Sequence, residues 1–315
     1  MNNSSNSTGV NNTELPLDVK STFLDKKNTN ILRGIAILLV ILAHVGTSFG
    51  NRYFTPLGGI GVAMFLFLSG YGLSESYNKN GLEGFFKKRF LRVLLPYFIL
   101  IILYHIVSRC SFTLHDNENE LLYIPRNWYI DYICVWYVVF FVTMYFLRKQ
   151  AIIVMSIVSV AMFFIFNSNT QAQQSFTFLL GCFFSQKKEI FLSNKKLIII
   201  LSVISLVVGI TALALKQMPF VRAHEGDIFM KICQLLIHLP IGFAIIMILN
   251  TLQLKLLSLL SIVGIVSYEL YLSHIPFYHL IKGSVDNLSI FLLQTVILTC
   301  IIYFINKKIV LVLKR

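Results

Sequence analysis

Ten apolar stretches alternate with short polar connections along the chain, at approximately 31–50, 56–76, 91–109, 128–147, 151–167, 175–186, 197–215, 229–249, 256–281 and 288–305. Most have the length that about 30 Å of hydrocarbon requires, roughly 20 residues at about 1.5 Å rise each. The pattern predicts an all-α polytopic membrane protein with about ten transmembrane helices. The sixth stretch is short. The ninth contains Pro276, which lacks an amide donor and predicts a bend there. Residues 1–30 are rich in Asn and Ser and too poor in apolar side chains to fold alone, so they read as a disordered cytoplasmic tail. Residues 31–310 then form a single transmembrane domain, and 311–315 a cytoplasmic C-terminal end.

Lys and Arg in the connections set the orientation. With the amino terminus inside, 20 of the 27 Lys and Arg fall in inner segments, and the remaining seven lie at outer ends beside the acidic run Asp116, Glu118 and Glu120. Both termini are therefore expected in the cytoplasm, in agreement with an even number of spans. The longest outer connections, 110–127 and 216–228, are too short to hold a soluble domain.

Composition narrows the class further. The chain is 56% hydrophobic and 13% charged, against roughly 45–50% and about 25% for soluble domains, which excludes a soluble enzyme, a coiled coil and a disordered protein. The net charge of +13 is accounted for by the inner segments and calls for no nucleic acid. Five cysteines, none in a C-x-x-C pair, read as small buried hydrophobes and provide no metal site.

An ionisable side chain inside a span costs about 2.5–3.5 kcal/mol on insertion scales, so each one is a candidate for function. His44, His105, Asp131, His238, Glu269, His274 and His279 qualify, with Arg33, Arg89 and Arg92 at inner helix ends. On the first span, Arg33 and His44 are eleven residues apart, which returns to within about 20° of one face and separates them by roughly 16 Å along the axis. A cation at the inner surface and an imidazole deep in the span thus share a stripe. An imidazole there is neutral at low cost and suits a general base.

Arg89 and Arg92, at i and i+3, point the same way and make a fork suited to phosphate. Gly61, Ser69 and Gly70 on the second span allow close helix approach. On the ninth span Ser267, Tyr271, His274 and Tyr278 form a second polar stripe, with Glu269 on the other side. Trp128 with Asp131, and Lys231, Gln234 and His238, mark lesser polar faces.

In this order, Arg33-x10-His44, Phe67-Leu68-Ser69-Gly70-Tyr71, Arg89-x-x-Arg92 before Pro96-Tyr97, Trp128-Tyr129, and Ser267-Tyr268 through Tyr271-Leu272-x-His274 resemble an integral-membrane acyltransferase of acyltransferase family 3, carbohydrate O-acyltransferase type. One departure is Ser273, where the family often has Trp. The resemblance implies transfer of an acyl group, commonly acetyl from acetyl-CoA, to a hydroxyl of a cell-surface or lipid-linked carbohydrate, in the bacterial cytoplasmic membrane. It implies that His44 is catalytic and that Arg33, Arg89 and Arg92 bind acyl-CoA. Ser69, Tyr71, Trp128, Asp131, Glu269, Tyr271 and His274 are the remaining site-lining candidates. Acyl-CoA enters as the donor substrate and no cofactor stays bound.

His44 either removes the acceptor proton or carries the acyl group itself. The product either forms on the acceptor directly or passes through a separate extracytoplasmic partner. A different reading is a flippase for lipid-linked glycan, which predicts internal repeats or paired broken helices that the sequence lacks. Selectivity for the acceptor is expected in the outer connections, at Asn117, Asn119, His224 and Asp227.

Overall fold

The computed structural model describes residues 24–110, 127–166, 169–223, 227–252 and 255–313. Most of the expected tail, the acidic run 116–120, Asn117, Asn119, His224 and the last two residues lie outside this set. Among the described residues the secondary structure is helical throughout, without a strand. In chain order the helices are α1 Lys26–Ser48, α2 Thr55–Asn80, α3 Phe85–Arg89, α4 Leu95–Cys110, α5 Trp128–Phe146, α6 Ala151–Ile165, α7 Asn169–Ala172, α8 Thr177–Gln186, α9 Lys188–Ser193, α10 Lys195–Lys216, α11 Pro219–Ala223, α12 Ile228–Leu252, α13 Leu260–Ile265, α14 Ser267–His274 and α15 Val285–Val312.

Among the described residues, eight helices are long and apolar enough to cross a membrane: α1, α2 with its leading turn, α3–α4, α5, α6, α10, α12 and α15. The bent pair Leu257–Ile265 and Ser267–His274 raises the number to nine. The count is thus lower than the ten expected, for two physical reasons. The sixth stretch folds as α8, ten residues long, or about 15 Å at helical rise, which is half a bilayer. The ninth is broken by 67° near Val266, ten residues before Pro276. Pro276 instead follows the end of α14. The Ser267 hydroxyl donates to the Gly264 carbonyl at 2.9 Å, satisfying a group that the break would otherwise strand.

α1 starts five residues ahead of its apolar run because Asp25 caps it, its Oδ1 accepting from the Asn28 amide at 2.6 Å. α1 and α2 pack against each other at the centre, α13 on α1, α8 and α12 on α2, and α10 on α12. Close approach depends on glycine. A Cβ on Gly70 would overlap the Phe178 carbonyl oxygen, and one on Gly181 the Phe67 carbonyl oxygen, so α2 and α8 meet backbone to backbone. Gly34 and Gly264 play the same part between α1 and the segment around α13. The Ile199, Ile200, Val203, Ile204 and Val207 face of α10, and Ile290, Leu293, Val296 and Ile297 on α15, are exposed apolar surface of the kind lipid covers.

α5 starts deep in the bundle. Tyr129, its second residue, shares a side-chain hydrogen bond with Ser69 in the middle of α2. Asn127, the residue before α5, is extended and buried at that depth. Non-helical backbone inside a membrane protein is tolerated where it is packed in protein or lines a cavity.

Candidate active site

α1 is unbroken from Lys26 to Ser48, so Arg33 and His44 keep the expected separation of roughly 16 Å along one helix. Around Arg33 the structure gathers Arg89 and Arg92, together with the phenols of Tyr129 and Tyr137. Arg89 is half-buried and donates a hydrogen bond to the Tyr137 oxygen. Its guanidinium lies 5.7 Å from the ring centroids of Tyr137 and Phe85, while its Nε is buried without a partner. Among the described residues, the groups acting on Arg33 and Arg89 are phenols and other guanidiniums rather than carboxylates. Three cations brought together without an acid form a site in need of an anion.

A π-helical turn, Phe90–Leu94, separates Arg89 from α4. The turn widens the spacing of successive side chains, so Arg92 is exposed where Arg89 is half-buried. Both still act on Arg33, and Arg92 acts on Arg89. The Tyr268 hydroxyl holds the turn, donating to the Val93 carbonyl at 2.7 Å.

From the arginines a line of rings leads to His44. Tyr129 and Tyr271 have centroids 5.1 Å apart, Tyr271 and His274 5.5 Å, and His274 and His44 5.2 Å. Tyr278 closes the far side of His44 at 4.7 Å. Asn127 fixes the middle of the line, its Oδ1 accepting from the Tyr271 hydroxyl at 3.1 Å and from the Tyr129 amide at 3.0 Å. His274 is fully buried. Its Nδ1 lies 3.2 Å from the Leu270 carbonyl, and its Nε2 has no partner. A proton on Nδ1 therefore leaves Nε2 as a lone-pair acceptor, on a ring whose centroid lies 5.2 Å from that of His44.

The path thus has a cationic end, an aromatic wall and a histidine pair, all on segments between Arg33 and Tyr278. The family model described as an acyltransferase domain, Acyl_transf_3, matches residues 27–306. The chain belongs to acyltransferase family 3. No curated protein and no solved structure matches it significantly. The fold, a helical bundle with at least eight apolar spans, makes this family 3 chain a membrane acyltransferase.

Several residues proposed from the sequence stand elsewhere in this acyltransferase. Ser69 reaches the path through Tyr129. Tyr71, two residues on, packs instead in a second core cluster with Phe67, Phe184 and Phe243. Within Ser69-Gly70-Tyr71, then, one residue faces the path, one permits helix contact and one fills the core. Trp128 is half-buried against Tyr129 and Tyr132. Asp131 is exposed, on the side of Tyr97 and Cys134. Glu269 is buried and hydrogen-bonds to the Asn306 side chain on α15. His44 instead touches rings, those of His274 and Tyr278. Ser267 belongs to the break in the ninth stretch rather than to the polar stripe.

Tyr137 and Asn127 escape sequence reasoning, and Tyr268 enters it only as part of the family motif. Tyrosines in apolar runs read as interfacial anchors or core, and Asn127 lies just ahead of its helix. The depth at which α5 begins brings Asn127 and Tyr137 to the arginine end, whereas Tyr268 reaches the π turn from α14.

Proposed function

We propose that the protein is a membrane-embedded O-acyltransferase that moves an acyl group, acetyl by preference, from cytoplasmic acyl-CoA to a hydroxyl of a cell-surface or lipid-linked carbohydrate. The observation that carries this reading is the convergence of Arg33, Arg89 and Arg92 at one end of a ring-lined path whose other end is His44. CoA is a phosphorylated head on a long uncharged arm ending in a thioester. The arginines match the phosphates in charge and geometry. The arm lies along Tyr129 and Tyr271, and the thioester reaches His44.

Two balanced routes fit the histidine. In the first, an imidazole nitrogen of His44 takes the acceptor hydroxyl proton as the oxygen attacks the thioester carbonyl. The C–S bond then breaks, and the imidazolium returns its proton to the CoA thiolate. In the second, the nitrogen attacks the thioester itself, CoA leaves as the thiol, and the acyl-imidazole passes its acyl group to the hydroxyl. In the first route His274 supplies a neutral acceptor nitrogen that steadies the imidazolium; in the second it accepts from the N–H of the acyl-imidazolium formed on attack, until that proton passes to the departing thiolate. No carboxylate is needed for this. A single-turnover reaction quenched in acid separates the routes, since only the second leaves label on the protein.

The test is transfer of label from acetyl-labelled acetyl-CoA into the glycan and lipid-linked glycan fractions of membranes carrying the protein, beside His44→Ala at equal expression. Label present with the native chain and lost with His44→Ala supports the reading, and the labelled fraction identifies the acceptor. No transfer from a panel of acyl-CoAs by folded protein overturns it in favour of glycan translocation.

A further inference from the structure

α14 is an eight-residue helix set off from α13 by the 67° break, yet it carries Tyr271 and His274 of the acyl path. It is about 12 Å long, and a helix that short depends on its neighbours for stability and orientation. Six of its eight side chains, those of Ser267, Tyr268, Glu269, Tyr271, Ser273 and His274, are polar or aromatic. Tyr268 bonds to the Val93 carbonyl and Tyr271 to Asn127, both on the side of the site. Glu269 and Ser273, one turn apart on the opposite side, turn to α15 and take no part in the path. Of the fully buried polar side-chain atoms on α14, His274 Nε2 alone lacks a partner.

α15 faces lipid with Leu293, Val296, Ile297 and Phe304. Thr295, Thr299, Ile302 and Asn306, at i, i+4, i+7 and i+11, form a stripe on another face, where Thr299 is 5% exposed. The back of α14 lies along that stripe. The Asn306 side chain bonds to Glu269, and Thr299 Oγ1 meets Ser273 Oγ at 2.9 Å. Each hydroxyl also lies near a carbonyl one turn back in its own helix, Ser273 near Glu269 at 2.5 Å and Thr299 near Thr295 at 2.7 Å. Such local bonds are common for Ser and Thr in helices. The contact between the two hydroxyls is not local: one proton bridges the helices while the other returns to its own carbonyl.

His274 is fixed to α14 as a body, since its Nδ1 lies 3.2 Å from the Leu270 carbonyl of the same helix. The rotation of α14 therefore aims the ring. Ser273 is the adjacent residue, so a bond there resists that rotation close to the ring. A turn of about 10° moves a ring about 6 Å from the helix axis by about 1 Å. Misplacement by about 1 Å costs up to about a hundredfold in rate.

We propose that Thr299 is a positioning residue for acyl transfer: through Ser273 it sets the rotation of α14 and so holds His274 against the ring of His44. This role rests on the acyl-transfer reading above and extends it to a residue outside the path. Thr299 acts through Ser273 and not on the reacting atoms.

The test compares Thr299→Val, which keeps the shape and removes the hydroxyl, with Thr299→Ser, which keeps the hydroxyl. Initial rates of label transfer from acetyl-CoA into the glycan fraction are measured on membranes carrying each full-length variant at equal expression. Thr299→Val should lower the maximal rate about three- to twentyfold, the weight of one hydrogen bond between spans. KM for acetyl-CoA should stay within about twofold, because Arg33, Arg89 and Arg92 lie on other elements. Thr299→Ser should remain within about twofold of the native rate. Ser273→Ala breaks the same bond from α14 and serves if Thr299→Val folds poorly; its loss should match, and the double variant should lose no more than either single one. Hydrogen exchange of peptide 268–277, on purified chain in nanodiscs, should quicken in Thr299→Val and stay native in Thr299→Ser. An unchanged rate in Thr299→Val, equal loss with Ser and Val, loss expressed in KM, or additive losses in the double variant would each overturn the role. No transfer by the native chain defeats the proposed reaction and the positioning role with it, while hydrogen exchange still decides the tether. Native transfer with rate and exchange both unchanged in Thr299→Val defeats this inference alone.

Discussion

Replacing Arg89 by Gln tests the electrostatics of the cationic end. In the native chain the Arg89 guanidinium is wedged between the rings of Phe85 and Tyr137, each centroid 5.7 Å away, with Arg33 and Arg92 as further cations. Its buried Nε has no partner. A charge-assisted hydrogen bond to a donor phosphate is worth about 1.5–3 kcal/mol, so its loss should raise KM for acetyl-CoA by about tenfold to about 150-fold. Acetyl-pantetheine carries the same thioester and lacks the phosphates. With it as donor, Arg89→Gln should change kcat/KM by less than about twofold, because no phosphate contact exists to be lost. In the absence of donor, removing one of three mutually repelling cations should leave the melting temperature equal or higher. Parallel kinetics with the two donors, on detergent-solubilised protein, are the assay. An equal loss with both would refute the reasoning, since Arg89 would then act on the thioester or on the fold rather than on phosphate.

His274→Ala should lower kcat by about 10- to 100-fold with little change in KM for acetyl-CoA, because its ring meets His44 5.2 Å away and not the arginines; initial-rate kinetics would show a KM effect if the ring instead held the donor. Glu269→Gln should keep activity within about twofold, since Gln can still accept from Asn306, and a loss beyond tenfold in the same assay would restore the carboxylate as a catalytic candidate. Gly181→Val should lower thermal stability by about 1–3 kcal/mol or prevent folding, as the added carbons meet the Phe67 carbonyl; a melting curve like that of the native chain would contradict the backbone packing of α2 on α8.

The apolar runs made the helices legible. Helix limits at α6, 151–165 against an expected 151–167, and at α10, 195–216 against 197–215, show how closely hydropathy tracks a lipid-facing helix. The departures occur where protein rather than lipid surrounds the backbone. α8 is short because its amino-terminal end runs into the buried polar tract 173–175, which an apolar average conceals. The break near Val266 carries no Pro. Gly264, two residues before it, lies on the Asn30 backbone, a contact invisible along the sequence.

The site divides in the same way. Arg33 and His44 were legible because one helix carries both, and helical geometry fixes their relation. His274 and Tyr278 followed from periodicity, and both touch His44. The Arg89–Arg92 spacing implies an α-helical pair, whereas Arg92 sits in a π turn held by Tyr268 and is more exposed than Arg89. The carboxylates Asp131 and Glu269 attracted notice as charges within spans, yet one is exposed and the other bonds to Asn306. Which neighbour a buried charge finds depends on helix rotation, and a single chain's hydropathy leaves that open.

The most direct measurement is a cryo-EM map of the protein in nanodiscs with CoA bound. Density for the phosphates is expected within hydrogen-bond distance of the Arg33, Arg89 and Arg92 guanidiniums. The arm should run along Tyr129 and Tyr271, and the sulfur should end beside His44. Density for CoA that leaves the arginines bare, or that ends away from the His44–His274 pair, would contradict this binding mode.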